Sequence, residues 1–250
     1  MPPELSIIIP AYNEGKRLDR ALSRIRDYFR NRPGPPDALE ILVVDDGSTD
    51  DTAQIARDWA RDLPAVRLVS NAKNRGKGFS VRHGLLEARG HIALFTDADL
   101  SAPIEESEKL LASIREGYDI AIGSRAADRS LIFVHQSRLR EIAGMIFNAW
   151  VRILTGLPFR DTQCGFKAFV REPSLVVFRQ QRIERFGFDP EILFLARRHG
   201  LRMAEVPVRW AHDPGTKVHL IRDSFLMFAD LIYIRWNWLV GRYRLKQSGL

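Results

Sequence analysis

Five short apolar runs, at residues 5–10, 39–44, 66–70, 91–96 and 119–123, are separated by four stretches with helical periodicity, at about 16–29, 51–61, 79–88 and 104–116. Strands that are buried on both faces read as unbroken apolar runs, and their alternation with helices is the pattern of repeated β-α-β units with a parallel sheet. Gly90 and Gly117 mark helix exits. Each helix returns the chain to the start of the next strand, so all the strands leave the sheet at one shared edge. Ligands bind along such an edge.

Two acidic turns lie there. Asp45-Asp46-Gly47-Ser48 follows the second run and Asp97-Ala98-Asp99 the fourth. Two carboxylates one residue apart suit Mg²⁺ or Mn²⁺, which bind a few carboxylates and complete their shells with water and substrate phosphates. Aspartate in a βα loop also serves simply as a turn or cap residue. The neighbouring motifs favour the metal.

Composition narrows the classes. At 250 residues with 45% hydrophobic content the chain can bury a proper core, and its single cysteine, Cys164, excludes an internal disulfide and any multi-cysteine zinc site. The formal charge of +7 draws it to something anionic. From Arg197 onward ten Lys or Arg stand against four Asp or Glu, in the same region as Trp210, Phe225, Phe228, Trp236 and Trp238, which reads as a membrane-surface element. Asp230 and Arg235 interrupt the best candidate for a membrane span. Met1-Pro2-Pro3-Glu4 leads directly into a strand without a signal-peptide pattern, so the expected location is cytoplasmic, with peripheral association at the cytoplasmic membrane face.

The alternation stops after Arg125. The sequence predicts a helix at 138–155 with Ile142, Ile146, Phe147, Ala149, Trp150, Ile153 and Leu154 on one broad face, expected to pack on the core or on a second copy. A further helix, at 220–244, has polar residues Asp223, Asp230, Asn237 and Arg244 at seven-residue intervals and is expected to lie in the membrane interface. The Pro33-Gly34-Pro35-Pro36 stretch is expected to be a surface loop. The expected division is a catalytic domain at 1–218 and an amphipathic tail at 219–250.

Ile9-Pro10-Ala11-Tyr12-Asn13-Glu14, Val44-Asp45-Asp46-Gly47-Ser48-Thr49-Asp50, Asn74-Arg75-Gly76-Lys77-Gly78 and Asp97-Ala98-Asp99, in this order, resemble the family 2 glycosyltransferases. Asp161-Thr162-Gln163-Cys164-Gly165-Phe166-Lys167 and the segment 206–217 are similar to those of the dolichyl-phosphate glucosyltransferases and related polyprenyl-phosphate sugar transferases. The resemblance implies a GT-A fold, an α/β Rossmann-like, mostly parallel sheet flanked by helices and followed here by C-terminal amphipathic helices. It also implies that Pro10, Ala11, Tyr12 and Glu14 embrace the nucleoside together with Asp45, Asp46 and Gly47. Side-chain chemistry agrees, since Tyr12 offers an aromatic face and the carboxylates offer acceptors.

Arg75, Gly76 and Lys77 precede a helix, where backbone N–H groups favour anions, and are expected to clamp the diphosphate. Asp97, Ala98 and Asp99 are expected to hold the metal and donor. Arg125, after the fifth run, is expected over the same crevice, on the sugar diphosphate or the acceptor phosphate. Arg138, Arg140 and Lys217 are candidate ligands for the acceptor phosphate, and the resemblance adds Gln163 beside the site. The implied reaction is inverting transfer of a sugar, with UDP-glucose as first candidate donor and GDP-mannose as alternative, to a polyprenyl (dolichyl-type) monophosphate at a membrane surface. A phosphate monoester is largely dianionic at neutral pH and needs no protein base, although Asp161, Asp189 and Glu191 are candidates. A nucleotidyltransferase would carry a Gly-rich loop after the first strand, and a non-catalytic lipid-binding or nucleic-acid module would leave the two acidic turns without a purpose.

Overall fold

The computed structural model describes residues 2–31, 38–213 and 220–243, except for the side chains of residues 220–223. The proline-rich stretch 33–36 and Lys217 lie outside the described residues. The first half runs β1 (Leu5–Ala11), α1 (Gly15–Arg30), β2 (Leu39–Asp45), α2 (Thr52–Asp62), β3 (Val66–Ser70), α3 (Lys77–Glu87), β4 (Ile92–Thr96), α4 (Ser107–Arg115) and β5 (Ile120–Ser124). Every expected element is present. The helix expected from residue 104 opens instead with a 3₁₀ turn, Ile104–Glu106, before α4 begins.

The second half adds β6 (Ile132–Val134), α5 (Arg138–Thr155), β7 (Phe166–Val170), α6 (Arg171–Gln180), α7 (Phe188–Arg198), β8 (Met203–Pro207), β9 (Trp210–Ala211) and α8 (Leu220–Leu239). The ends of α5 match its expected bounds because both carry a cap. Ser137 Oγ accepts the Arg140 N–H, and Gly156 takes the left-handed conformation after the last turn.

The main sheet has seven strands in the order β3-β2-β1-β4-β7-β5-β8, while β6 and β9 form a small parallel pair. All neighbours in the main sheet are parallel except at β7, which runs antiparallel to both β4 and β5. No apolar run announces this strand, because Lys167 stands as its second residue. The structure buries that lysine completely. A charged residue in the middle of a sheet requires a partner, which α7 supplies.

Alternate side chains of the strands feed two cores. On one face Ile7, Ile9, Ile41 and Leu94 pack with Leu18, Leu22 and Ile25 of α1; on the other Ile8, Val44, Phe95 and Phe169 pack with Val81 and Leu85 of α3, Phe178 of α6 and Phe188 and Phe194 of α7. Helix α3 approaches the sheet closely at Gly84.

Helices α5 and α8 pack against each other, with Trp150 edge-on to Phe228 at 5.3 Å. The orientation of α5 departs from expectation. In α5 only Phe147, Val151 and Thr155 are buried, while Ile142, Ile146, Trp150 and Ile153 face outward, so most of the apolar face expected on the core is outside it. In α8, which ends at Leu239, the described members of the polar stripe turn inward, while the Asp223 side chain and Arg244 lie outside the described residues. Asn237 is fully buried beside Leu231 and Ile234, and Asp230 lies against Gly187, whereas Phe225, Ile232, Trp236 and Leu239 are exposed. No helix among the described residues is long and apolar enough to cross a membrane.

A Cβ added at Gly84 would lie 2.5 Å from Ile8 Cγ2 and 2.8 Å from Val44 Cγ2, in the middle of the central strands. Alanine favours a helix over glycine by about 1 kcal/mol, but overpacking a filled core costs about 1–3 kcal/mol. Gly84→Ala is therefore expected to lower the urea midpoint, and an unchanged or raised midpoint would show that α3 can move off the sheet at no cost.

Candidate active site

The loops leaving β1 and β2 are laced together at the carboxyl edge. Asn13, at φ 52°, donates its N–H to Ser48 Oγ (2.9 Å) and accepts the Thr49 N–H on Oδ1 (2.8 Å). Glu14 donates its N–H to Thr52 Oγ1 at 2.7 Å, and its carboxylate pairs with Arg17, which also reaches Asp213. Pro10 and Ala11 end β1 in register with Val44 and Asp45, and Tyr12 stands exposed just beyond them. The expected nucleoside residues thus share one rim.

Asp45 and Asp46 act differently from each other. Asp45 accepts the Ser48 N–H and closes its own turn. Asp46, only 3% exposed, accepts Asn71 Nδ2 at 2.7 Å, the Arg75 N–H at 3.0 Å and the Gly76 N–H at 2.7 Å. It fixes the 71–76 loop above the crevice. Gly47, at φ +71°, leaves no room for a Cβ, which would sit 2.9 Å from the backbone of residues 73 and 74.

Two expected cations are already engaged. The Arg75 guanidinium pairs with Glu184 and stacks 3.6 Å over the Phe79 ring, so the diphosphate clamp expected of its side chain is not what the structure presents. Its partner comes from a turn more than a hundred residues away, beyond the reach of any local pattern. Lys77 points to the acidic turn, with Nζ 2.5 Å from Asp97 Oδ1. Burial pulls the ammonium down, but Asp97, Asp189 and Asp99 outweigh it and hold it above its ordinary value.

Asp97 follows β4 directly. The pairing of Thr96 with Phe166 brings Gly165 against its carboxylate, so closely that any side chain at 165 would overlap it. Ala98 is buried and Asp99 accepts the Ser101 N–H at 2.8 Å. Burial, then the charge of Asp97, pushes the Asp99 carboxyl up. Two crowded acids with hard oxygen donors suit Mg²⁺ or Mn²⁺. Among the described residues no three His, Cys, Asp or Glu side chains are grouped to hold a metal ion, so a cation here would take its remaining ligands from donor phosphates and water.

Beneath this turn Lys167 Nζ lies 2.5 Å from Asp189 Oδ1 and 2.6 Å from the Cys164 carbonyl oxygen. Burial pushes the Asp189 carboxyl up against the opposing pull of Lys167. Burial also pushes the Cys164 thiol up to about 12, as expected for a packed residue rather than a nucleophile.

Arg125 forms a fork on Asp161, with Nε 2.7 Å from Oδ2 and a terminal nitrogen 2.9 Å from Oδ1, and lies 5.4 Å from the Trp210 ring. Burial works against the Asp161 charge, yet Arg125 holds its carboxyl down at about 2. Arg125, expected on the sugar diphosphate or the acceptor phosphate, is therefore held in place by Asp161. It forms one wall of a cleft of about 130 Å³ that Arg140, Arg160, Gln163, Met145 and Trp210 also line. Arg138 lies on the exposed first turn of α5, outside that lining.

None of the three candidate bases is open. Asp161 is forked to Arg125 and Asp189 is paired with Lys167. Glu191 turns away from the crevice, accepting the backbone N–H groups of Arg182 and Ile183 and the Tyr243 hydroxyl. Arg160, Glu205 and Gly165 were not visible as site residues in the sequence. Glu205 takes the N–H groups of Arg160 and Asp161 and the Ser124 hydroxyl, across distances only the sheet closes.

Residues 6–180 match the model of glycosyl transferase family 2. The dolichyl-phosphate beta-glucosyltransferase of Homo sapiens is 35% identical, covering 98% of this chain and 79% of that protein. Its counterpart in Drosophila melanogaster is 37% identical, covering 97% and 77%, and that of Saccharomyces cerevisiae 35% identical, covering 96% and 76%. The crystal structure of glucosyl-3-phosphoglycerate synthase from Mycobacterium tuberculosis, in complex with Mn²⁺, UDP and glucosyl-3-phosphoglycerate, superposes with a TM-score of 0.66 at 22% identity, over 99% of this chain and 82% of that one. Mannosyl-3-phosphoglycerate synthase from Rubrobacter xylanophilus gives 0.68 at 21%, over 99% and 78%. The fold is of the GT-A type.

Breaking a buried pair by removing one charge costs about 3–5 kcal/mol. With Arg125 still partly exposed, Asp161→Asn is expected to cost about 3 kcal/mol at pH 7 in urea unfolding. The folded carboxyl titrates near 2 against an ordinary value of 3.8, so its contribution is complete above 3.8 and fades as the pH falls towards 2. The gap between wild type and variant should narrow over that window; a gap independent of pH would contradict the assignment.

Proposed function

This chain belongs to glycosyl transferase family 2, and we propose that it transfers glucose from UDP-glucose to a dolichyl-type polyprenyl monophosphate, with inversion at the anomeric carbon. The observation that carries this reading is its similarity, over nearly its whole length, to dolichyl-phosphate beta-glucosyltransferases from human, fly and yeast. The same fold carries Mn²⁺ and UDP in the mycobacterial synthase.

In this proposal Tyr12, with Pro10, Ala11 and Asp45, receives the nucleoside, while Asp46 and Gly47 keep the loop 71–76 at the height of the diphosphate. Asp97 and Asp99 are the carboxylates that would hold Mg²⁺ or Mn²⁺, which when bound supplies neutralisation of the departing diphosphate. Lys77, already beside Asp97, adds a second positive charge on the leaving side. Arg140, Arg160 and Gln163, in the cleft next to the clamped Arg125, receive the acceptor phosphate. Arg138 and Lys217 remain secondary candidates for that phosphate.

A phosphate oxygen attacks the anomeric carbon as the bond to the diphosphate breaks, and UDP departs with the electron pair. The acceptor is already deprotonated at neutral pH. That Asp161, Asp189 and Glu191 are all occupied by other partners supports a reaction without a protein base. The exposed apolar faces of α5 and α8 lie on the acceptor side, since Met145 and Arg140 of α5 line the cleft, and they suit contact with the bilayer that holds the lipid.

Incubation with labelled UDP-glucose, dolichyl phosphate and Mn²⁺ should give label in the organic phase, with Asp97→Ala lowering turnover by about 10²–10³-fold at unchanged circular dichroism. Label carried over from GDP-mannose instead would overturn the sugar assignment, and full turnover in excess chelator would overturn the role of the acidic pair. Replacing both Phe225 and Trp236 by Ser should weaken sedimentation with anionic liposomes by at least about tenfold. Equal binding of that double variant and wild type would remove α8 from the membrane contact.

A further inference from the structure

Glu191 is fully buried on α7, and its carboxylate faces a turn rather than the crevice. It accepts the Ile183 N–H at 2.8 Å, the Arg182 N–H at 3.1 Å and the Tyr243 hydroxyl at 2.6 Å. Burial pushes this carboxyl up to about 7 in spite of the three donors, so at neutral pH it is no simple source of stability.

The opposite side of that turn touches the loop carrying Lys77, on the backbone of residues 78 and 79. The Glu184 carbonyl accepts the Phe79 N–H at 3.0 Å, and Gln181 Nε2 donates to the Gly78 carbonyl at 2.8 Å. A Cβ at Gly76 would lie 2.6 Å from the Glu184 carbonyl oxygen, and one at Gly78 would lie 2.8 Å from that of Ile183. Because Gly76 and Gly78 bring the two backbones this close, the turn and the loop have little slack. A shift of one is a shift of the other.

The same turn is gripped from behind by the C-terminal segment. Gly187 lies against Asp230 of α8, Arg182 donates to the Arg242 carbonyl at 2.5 Å, and Tyr243 is 3% exposed. We propose that Glu191 is a positioning residue for the donor loop: together with Tyr243 it fixes the turn 181–187, which in turn seats Gly76, Lys77 and Gly78 beside Asp97. The residue that the acidic motif suggests as a base instead acts through backbone, at one remove from the substrate. The proposal rests on the reading of loop 74–78 as the diphosphate site, and it ties the seat of α8 to donor affinity.

Tyr243→Phe removes one hydroxyl, keeps the ring and touches none of the substrate residues. It should raise the Kd for UDP with Mn²⁺ and the KM for UDP-glucose by about three- to tenfold, a change of the size one buried hydrogen bond supports, and leave kcat and the acceptor KM within about twofold. Glu191→Gln, which cannot accept all three donors, should give a larger change in the same two constants. In hydrogen exchange without ligand, the amides of Phe79 and Ser80 should open faster in Tyr243→Phe than in wild type. A fall in melting temperature with UDP affinity, donor KM and exchange at 79–80 all unchanged would reduce Glu191 to a packing role. If wild type itself binds no UDP, the donor reading fails, and the exchange comparison still decides whether the turn holds the loop.

Discussion

Thr96 and Phe166 face each other across the one antiparallel strand of the main sheet, and this register brings the two halves of the chain to a single point. One residue beyond the pairing on each side, Asp97 leaves β4 and Gly165 enters β7, glycine being the residue that lets the carboxylate lie where it does. One residue further into β7, Lys167 is carried between β4 and β5, where Asp189 of α7 neutralises it. If the register slipped by one position, every one of these side chains would change face. The acidic turn therefore owes its geometry less to its own loop than to a strand inserted some seventy residues later in the chain.

That insertion also divides the labour among the cations. Arg75, Arg125 and Lys167 are each held by a carboxylate, and through those pairs they join segments that the first five strands alone could not bring together. Lys77 faces the acidic turn, and Arg140 and Arg160 face the cleft. The buried acids are correspondingly committed to structure: Asp46 to a loop, Asp161 to an arginine, Glu191 to a turn. A site of this kind suits an acceptor that brings its own negative charge, because the chain provides positive charge and position rather than an open base.

Two polar residues of the C-terminal helix are turned inward. Asn237 and Asp230 face the protein while Phe225, Ile232, Trp236 and Leu239 face out. In water that arrangement leaves apolar area exposed; against a bilayer it is the favourable one, because the outward rings would lie against apolar chains. The turn 181–187 lies between this helix and the loop of Lys77, so the helix with the outward rings and the loop beside the acidic turn share one element.

Much of this was legible in the sequence. The alternation of apolar runs and helices gave five strands and four helices close to their observed bounds, because strands buried on both faces leave a continuous hydrophobic record. The motifs after those strands marked Tyr12, Asp46, Lys77 and Asp97 as neighbours, since parallel strands must all end at one edge. What the sequence could not disclose was β7, whose lysine looks like solvent-facing punctuation until Asp189 is placed beside it. Nor could it tell that Arg75 and Arg125 are each held by a carboxylate, or that the acid of the 189–191 motif turns its back on the crevice. Those outcomes depend on partners from 8 to 109 residues apart in the chain. Periodicity is a local property that each segment carries by itself, whereas the pairing of buried charges is decided only when the sheet has closed and water has been excluded from between them.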